Sequence, residues 1–177
     1  MADVVIRPAR LEDIPGIVTI NAAGQPGVSA LTAEAVADAL TDAAYVAVAV
    51  VGGEVSGYMI GYMADDACDG EEFAWFQARL PRFLYIDQIA VAPTARRAGV
   101  GAQLYEHVMS FADARAIPSL VCEVNLEPPN PASLRFHARL GFQEVGVLAV
   151  TDGRTVSLQR RDLAPDDPPA LSRNPWC

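Results

Sequence analysis

The sequence has few cysteines, no long apolar run and no run of basic residues. Cys68, Cys122 and Cys177 lack the spacing of a metal site and cannot all pair with one another, which favours a reducing, cytoplasmic setting. No stretch approaches the roughly 20 apolar residues of a membrane span. The formal charge of −9, without a basic cluster, argues against general nucleic-acid binding. We therefore expect no metal, no nucleic acid and no membrane among the partners.

The length and the apolar content indicate one compact domain. The chain has 177 residues, 51% of them hydrophobic, which is enough for a full core. A strand pattern begins at Val4, almost directly after Met1, so we expect no signal peptide. From Ala164 onward the sequence APDDPPALSRNPWC is rich in proline and aspartate, which predicts a flexible tail. The predicted division is a domain over residues 1–163 and a tail over residues 164–177.

The most informative stretch is Ile86–Gly101, IDQIAVAPTARRAGVG. Its first residues are apolar enough for a buried strand that ends at Pro93, and Ala102–Arg115 has the spacing of a helix with one apolar face. A glycine-bearing turn at a helix start presents backbone N–H groups without internal partners, and the helix dipole adds positive charge there. Arg96 and Arg97 lie beside this turn. The stretch therefore predicts an anion site, most naturally one for a pyrophosphate.

Two common phosphate-binding patterns do not fit this turn. It is not Gly-x-x-x-x-Gly-Lys-Ser/Thr, which excludes the nucleoside-triphosphate P-loop. It is not Gly-x-Gly-x-x-Gly, and no early strand–turn–helix unit precedes it, which disfavours a dinucleotide fold. Considered without the rest of the chain, the turn could also be only a tight connection into a helix.

Periodicity along the rest of the chain predicts the order strand, helix, helix, strand, strand, strand, helix, strand, helix, strand, strand. One long connection, Ala64–Arg82, has an acidic part followed by Phe73, Trp75 and Phe76. Connections of this length often cover a functional site, so one interpretation is a lid over a cationic substrate. The other is a short surface helix whose aromatic side chains pack onto the sheet. The two interpretations are compatible, and both are kept here.

Two separate motifs resemble those of the GNAT superfamily of N-acyltransferases. Arg96-x-x-Gly99-x-Gly101, after the strand IAVAP, is similar to the family's acyl-CoA pyrophosphate loop. Further on, Asn130–Phe142, NPASLRFHARLGF, resembles its closing motif. Each motif lies in the right kind of element and in the right order. The resemblance covers roughly residues 4–163 and is specific from Ile86 to Phe142.

The resemblance implies a fold, an activity and a co-substrate. The expected fold is a single mixed α+β domain with a mostly antiparallel twisted sheet of about seven strands, about four flanking helices and a splay between the fourth and fifth strands. The expected activity is transfer of an acetyl group from acetyl-CoA to a primary amine, in particular of a small molecule. By the same resemblance, the residues expected to contact acetyl-CoA are Ile89, Ala90, Val91, Arg96, Arg97, Ala98, Gly99, Val100, Gly101, Ala102, Asn125, Asn130, Ser133 and Phe136.

Amine acylation requires a group that accepts the amine's proton and a group that assists the departing thiolate. Asp87 is the leading candidate for the base, because strand alternation places it on the face of Ile89 and Val91. Glu123 on the neighbouring strand is the second candidate. His137 occupies the position where the family often has a tyrosine that assists the thiolate. It could instead cap or pack beneath its helix, and either carboxylate could be structural.

Other functions remain open on the sequence alone. A domain of this kind could sense acyl-CoA without turning it over, or could acetylate a protein N-terminus or a lysine. The acidic and aromatic composition of Ala64–Arg82 favours a closed pocket for a small amine over an open peptide groove. A homodimer is also left open.

Overall fold

The computed structural model describes residues 3–96 and 98–163. Their helices and strands follow the expected order, with one additional helix. The strands are β1 Val4–Pro8, β2 Tyr45–Val51, β3 Glu54–Met63, β4 Leu84–Val91, β5 Ser119–Glu127, β6 Gln143–Ala149 and β7 Thr155–Asp162. The helices are α1 Ile14–Gly24, α2 Ala33–Asp42, α3 Glu71–Gln77, α4 Val100–Asp113 and α5 Pro131–Arg139. The expected tail and Arg97 lie outside the described residues.

The seven strands form one sheet in the order β1-β2-β3-β4-β5-β7-β6. Every neighbouring pair is antiparallel except β4 and β5, which are parallel. These two strands pair only at Leu84–Leu120 and Tyr85–Val121, and then separate. The expected mixed fold with a splay between the fourth and fifth strands is therefore confirmed. The splay opens a slot through the middle of the sheet.

Helices cover both faces of the sheet. On one face, α1 and α2 bury Ile17 and Val36 against Tyr58 and Ile60 of β3. On the other face, α4 packs Leu104 and further apolar side chains against β2, β3 and β4. Helix α2 begins with the side-chain cap that its sequence predicts, since Thr32 Oγ1 accepts a hydrogen bond from the Ala35 N–H at 3.1 Å.

The fifth helix, α3, lies inside the Ala64–Arg82 connection, where one of the two interpretations of the sequence placed a short helix. Phe73 and Phe76 of α3 are 1% and 0% exposed, and both pack against Phe83 and Tyr85. The structure thus shows the packing interpretation of this segment. Because two of its aromatic side chains belong to the core, α3 forms a packed wall of the molecule, and a lid over the substrate stays a prediction.

A bulge in β4 overturns the alternation argument for Asp87. Ile60 of β3 pairs with Gln88 and Gly61 pairs with Ile86, which leaves Asp87 as the extra residue. As a result Ile86, and not Asp87, lies in the same core cluster as Ile89 and Val91. Asp87 belongs to the surroundings of Tyr62 and Cys68, whose pKa values are both raised to about 12 by burial first and by the charge of Asp87 second.

Membrane-spanning helices and metal-binding clusters are both absent from residues 3–96 and 98–163. No helix there is long and apolar enough to cross a membrane. Likewise, no group of three or more His, Cys, Asp or Glu side chains there is arranged to hold a metal ion.

Candidate active site

A groove of about 460 Å³ lies at the N-terminus of α4. The first backbone N–H groups of a helix have no carbonyl acceptor within it, so this end of the groove offers hydrogen-bond donors and the positive end of a helix dipole. Gly99, just before the helix, has φ +77°, a conformation that other residues rarely adopt. The expected residues that line the groove are Ile89, Ala90, Val91, Arg96, Gly99, Val100, Gly101, Ala102, Asn130, Ser133 and Phe136.

The close approach of α4 and α5 explains why residue 101 is a glycine. A Cβ atom at this position would lie 3.1 Å from Cζ of Phe136. A larger side chain would therefore enter the groove and push against α5. Among the other expected contacts, Ala98 does not line this groove.

A second cavity, of about 220 Å³, lies beside the slot between β4 and β5. It shares part of its wall with the groove, including Val28, Ile89, Ser133 and His137. The groove and the cavity therefore meet at the slot. All three expected catalytic residues, Asp87, Glu123 and His137, line this second cavity.

The connection between α1 and α2 forms one wall of the cavity, and buried amides hold it in place. Asn21 Nδ2 and Gln88 Nε2 donate to the Ser29 carbonyl oxygen at 2.9 and 3.0 Å. Asn21 Oδ1 accepts from the Leu31 N–H at 2.9 Å. Gln88 Oε1 in turn accepts from Tyr58 at 2.8 Å. These bonds fix the wall to β3 and β4.

Asn125 was expected to contact acetyl-CoA. It lines the cavity and not the groove, and its amide bonds two of the segments around the cavity. Its Nδ2 donates to the Pro26 carbonyl oxygen at 3.3 Å, and its Oδ1 accepts from Arg154 Nη1 at 3.2 Å. Arg154 also donates to Glu72 of α3 at 2.8 Å and to Asp152 at 2.7 Å. A single amide thus joins the α1–α2 connection to the β6–β7 turn.

The cavity's carboxylates have unusual acidities. Burial raises the pKa of Asp87 to about 6, and the charge of Glu72 adds to the shift. Burial also raises the pKa of Glu123 to about 8, although the hydrogen bond that Tyr85 donates to its Oε2 at 2.7 Å acts in the opposite direction. Near pH 7, Asp87 is therefore mostly ionised and Glu123 mostly protonated. A partly buried carboxylate poised near neutral pH is suited to proton transfer.

His137 lies on the other side of the slot and is 4% exposed. Its Nε2 lies 2.8 Å from the Tyr105 hydroxyl, and its Nδ1 lies 2.8 Å from the Ser133 carbonyl oxygen. Burial lowers the pKa of His137. A second expected residue in this region, Asn130, caps α5, since its Oδ1 accepts from the Ser133 N–H at 3.2 Å.

Sequence reasoning missed several residues of the site. Tyr105 follows Gly101 by one helical turn and so shares its face, a signal that helical periodicity contains. Arg154 and Glu72 are brought to the cavity by contacts between elements far apart in sequence, for which no local pattern exists.

The sequence matches the model of the acetyltransferase (GNAT) family over residues 21–142. The chain belongs to the GNAT acetyltransferase family. The match includes the α4 groove, the slot, and the carboxylates and histidine that line the cavity. No curated protein sequence matches this GNAT chain.

Solved structures share the GNAT fold at low sequence identity. Ard1 from Thermoplasma volcanium is 21% identical with a TM-score of 0.75, over 91% of this chain and 98% of that one. The ribosomal-protein-S18-alanine N-acetyltransferase from Escherichia coli is 18% identical with a TM-score of 0.69, over 94% and 99% of the two chains. An N-acetyltransferase from Staphylococcus aureus Mu50 is 19% identical with a TM-score of 0.68, over 92% and 100%. At these identities the likeness concerns the fold.

Proposed function

We propose that the protein transfers the acetyl group of acetyl-CoA to the primary amine of a small molecule. The observation that carries this proposal is the meeting of the α4 groove and the carboxylate-lined cavity at the slot. An acyl-CoA whose pyrophosphate lies at the N-terminus of α4 would direct its thioester through the slot toward the cavity. Asp87 and Glu123 then face the entering amine.

The charges of the cavity favour an amine that arrives as a cation. After burial, the charge of Glu72 helps to raise the pKa of both Asp87 and Glu123, and the charge of Asp87 adds to the rise of the Glu123 pKa. Arg154 is the cation that lines the described cavity, and it is already paired with Glu72 and Asp152. An ammonium ion would therefore be attracted, and the ionised Asp87 would take the proton that the nitrogen must lose before it attacks the thioester.

The hydrogen bonds that Asn125 makes across the edge of the cavity favour a small acceptor over a peptide. Asn125 links the two segments that would have to part for an extended chain to enter. The Escherichia coli relative named above carries a protein substrate in its name, so acetylation of a protein N-terminus is the competing function. Acyl-CoA sensing without turnover is the other.

An amine panel distinguishes these functions. Release of free CoA thiol would be followed with acetyl-CoA and three sets of acceptors: small mono- and diamines, peptides with free N-termini, and lysine peptides. We expect turnover with small cationic amines. Turnover with peptides alone would overturn the choice of acceptor, and acetyl-CoA binding without thiol release from any acceptor would leave only the sensing function.

The proposed position of the acetyl-CoA pyrophosphate at the N-terminus of α4 gives a separate prediction. Gly101→Val is expected to weaken acetyl-CoA binding by more than about tenfold, because the added side chain fills the space between the start of α4 and Phe136. The rate with S-acetylpantetheine, which lacks the pyrophosphate, is expected to change little. Calorimetry and initial rates measure the two effects.

Gly101 is the better position for this test, because valine at Gly99 would strain the backbone at φ +77°. Arg115→Ala is the control: it lies just beyond the C-terminus of α4, far from the groove, and its guanidinium stacks 3.7 Å from the centre of the Phe111 ring. An equal loss with acetyl-CoA and S-acetylpantetheine in Gly101→Val would indicate damage to packing and contradict the assignment.

A further inference from the structure

Charge divides the site into two halves. Of the described residues that line the groove, Arg96 and Arg139 are charged, and none is an aspartate or a glutamate. The cavity wall, in contrast, contains Asp87 and Glu123 beside Arg154. A surface with two arginines and no acidic residue is an exception in a chain whose formal charge is −9. The groove therefore favours a ligand that carries several negative charges.

Arg139 lies on the groove face of α5. Ala132, Phe136 and Arg139 all line the groove, and their spacings of four and three residues place them in one row along the helix. Phe136 is the side chain next to Gly101 at the start of α4. Arg139 lies one helical turn, or about 4.5 Å of helix rise, beyond Phe136. It lines the groove and not the cavity, whereas His137 lines both, so the Arg139 side chain belongs to the groove alone.

Neither groove arginine is neutralised by a carboxylate of the described chain. No ion pair within residues 3–96 and 98–163 involves Arg96 or Arg139. The dipole of α5 favours a cation in its last turn, which contains His137 and Arg139. That preference is the same on every side of the helix, so it does not explain why the arginine faces the groove. A ligand with a negative charge at this point does.

The phosphates of an acyl-CoA match this arrangement in their order along the molecule. The pyrophosphate follows the pantetheine arm, and the ribose beyond it carries a 3′-phosphate that is close to doubly charged at pH 7. With the thioester at the slot and the pyrophosphate at the N-terminus of α4, the 3′-phosphate belongs to the end of the ligand that is remote from the slot. A guanidinium can donate two parallel N–H groups to such a phosphate.

We propose that Arg139 binds the ribose 3′-phosphate of the acyl-CoA donor, so that the enzyme selects CoA over donors that lack this phosphate. The observation that carries this inference is an arginine on the groove face of α5, paired with no described carboxylate and one turn beyond the ring that meets the start of α4. The inference rests on the proposed acetyl transfer from acetyl-CoA. In the same arrangement Arg96, beside the turn before α4, contacts the pyrophosphate.

CoA and 3′-dephospho-CoA differ only in the phosphate that Arg139 would bind. Calorimetry would measure the affinity of both for the unchanged protein and for Arg139→Gln, which keeps a polar side chain but removes the charge. We expect the unchanged protein to bind CoA about tenfold more tightly than dephospho-CoA, as for one charge-assisted contact. Arg139→Gln is expected to lose about tenfold for CoA and less than about twofold for dephospho-CoA.

Arg135→Gln is the matched control. Arg135 is an exposed arginine on the same helix, and it does not line the groove. Both variants remove one positive charge from α5, so a general effect of net charge on an anionic ligand would appear in both. Because an exposed charge outside the groove is screened by salt, Arg135→Gln is expected to change either affinity by less than about twofold.

Kinetics gives a second measurement. With acetyl-CoA as donor, Arg139→Gln is expected to raise KM and leave kcat unchanged, because the 3′-phosphate is remote from the thioester and its contact is the same in the ground state and the transition state. With acetyl-dephospho-CoA, the unchanged protein and Arg139→Gln are expected to have the same KM.

The outcomes separate this inference from the proposed function. Equal affinity of the unchanged protein for CoA and dephospho-CoA would overturn the role of Arg139 and leave the acetyl transfer intact, as would a preference for CoA that Arg139→Gln retains. An equal loss for both ligands in Arg139→Gln would assign the side chain to the pyrophosphate and overturn the inference. A preference for CoA that Arg139→Gln abolishes, in a protein that acetylates no amine, would support this site and overturn the proposed function. Binding of neither ligand would overturn both.

Discussion

Asp87→Asn is expected to lower kcat by about 100-fold or more, the usual contribution of a general base, while acetyl-CoA affinity stays the same. Asparagine keeps the shape of the side chain but cannot accept the amine's proton. Asp87 lines the cavity and not the groove, so the change should be confined to the acceptor half of the site. Initial rates and calorimetry measure the two quantities.

The pH dependence of kcat identifies which carboxylate is the base. A base must be deprotonated to act, so the rate rises with pH as the group loses its proton. A rising limb with a midpoint near pH 6 corresponds to Asp87, and one near pH 8 corresponds to Glu123. We expect the limb near pH 6, because Asp87 is the group that is mostly ionised at neutral pH. A limb near pH 8 that disappears in Glu123→Gln would transfer the role to Glu123.

Asp87→Asn is also expected to stabilise the protein. The folded-state pKa of Asp87 is raised from 3.8 to about 6, so its ionisation opposes folding as pH rises through this interval, and the penalty is complete above it. One pKa unit corresponds to about 1.4 kcal/mol, so Asp87→Asn is expected to add about 1–3 kcal/mol to the free energy of unfolding at pH 7.5 and little at pH 4. Urea titrations at the two pH values measure this.

Asp13 provides the opposite control. It accepts two hydrogen bonds from Arg7 at 2.7 and 2.8 Å, which lower the pKa of its carboxyl group. Its stabilising effect is present at neutral pH and is lost as pH falls through the lowered pKa. Asp13→Asn is therefore expected to destabilise the protein by about 1–3 kcal/mol without changing kcat. Destabilisation by Asp87→Asn as well would mark Asp87 as a structural carboxylate.

Local patterns in the sequence were sufficient to predict the order of most helices and strands and the turn that lines the groove. Alternation and helical spacing depend on neighbours a few residues apart, and they located β2 and β3 and, two residues late, the start of α4. The predicted anion site rests on a turn of six residues, Arg96–Gly101. These features require no knowledge of distant contacts.

The acceptor side of the site could not be predicted in this way. The orientation of Asp87 depends on one extra residue in β4 relative to β3, and a sequence pattern with period two contains no sign of that insertion. The role of Asn125 depends on Pro26 and Arg154, which are 99 and 29 residues away along the chain. In contrast, Tyr105 could have been found, because it shares a helical face with Gly101.

Phe76→Ala is expected to destabilise the protein by about 3–5 kcal/mol, which is a large part of the stability of a domain of this size. Phe76 is 0% exposed. The centroid of its ring lies 6.1 Å from that of the Phe83 ring and 6.2 Å from that of the Tyr85 ring. The surrounding core also holds Val121 and Leu158, so the cavity left by the change cannot simply fill with solvent. Denaturant unfolding measures the loss.

The Phe76→Ala experiment also decides what α3 contributes to catalysis. Gln77→Ala, one residue further on the exposed side of α3, removes only the 2.8 Å hydrogen bond from Nε2 to the Ala64 carbonyl oxygen and is expected to lower the free energy of unfolding by less than about 1.5 kcal/mol. A mobile lid would respond differently: Phe76→Ala would raise KM for the amine and leave the stability unchanged. In the wall described above, Phe76 supports Tyr85, whose hydroxyl bonds Glu123. Stability and kcat should therefore fall together, because the helix that closes the core also supports Glu123, which we propose to face the amine.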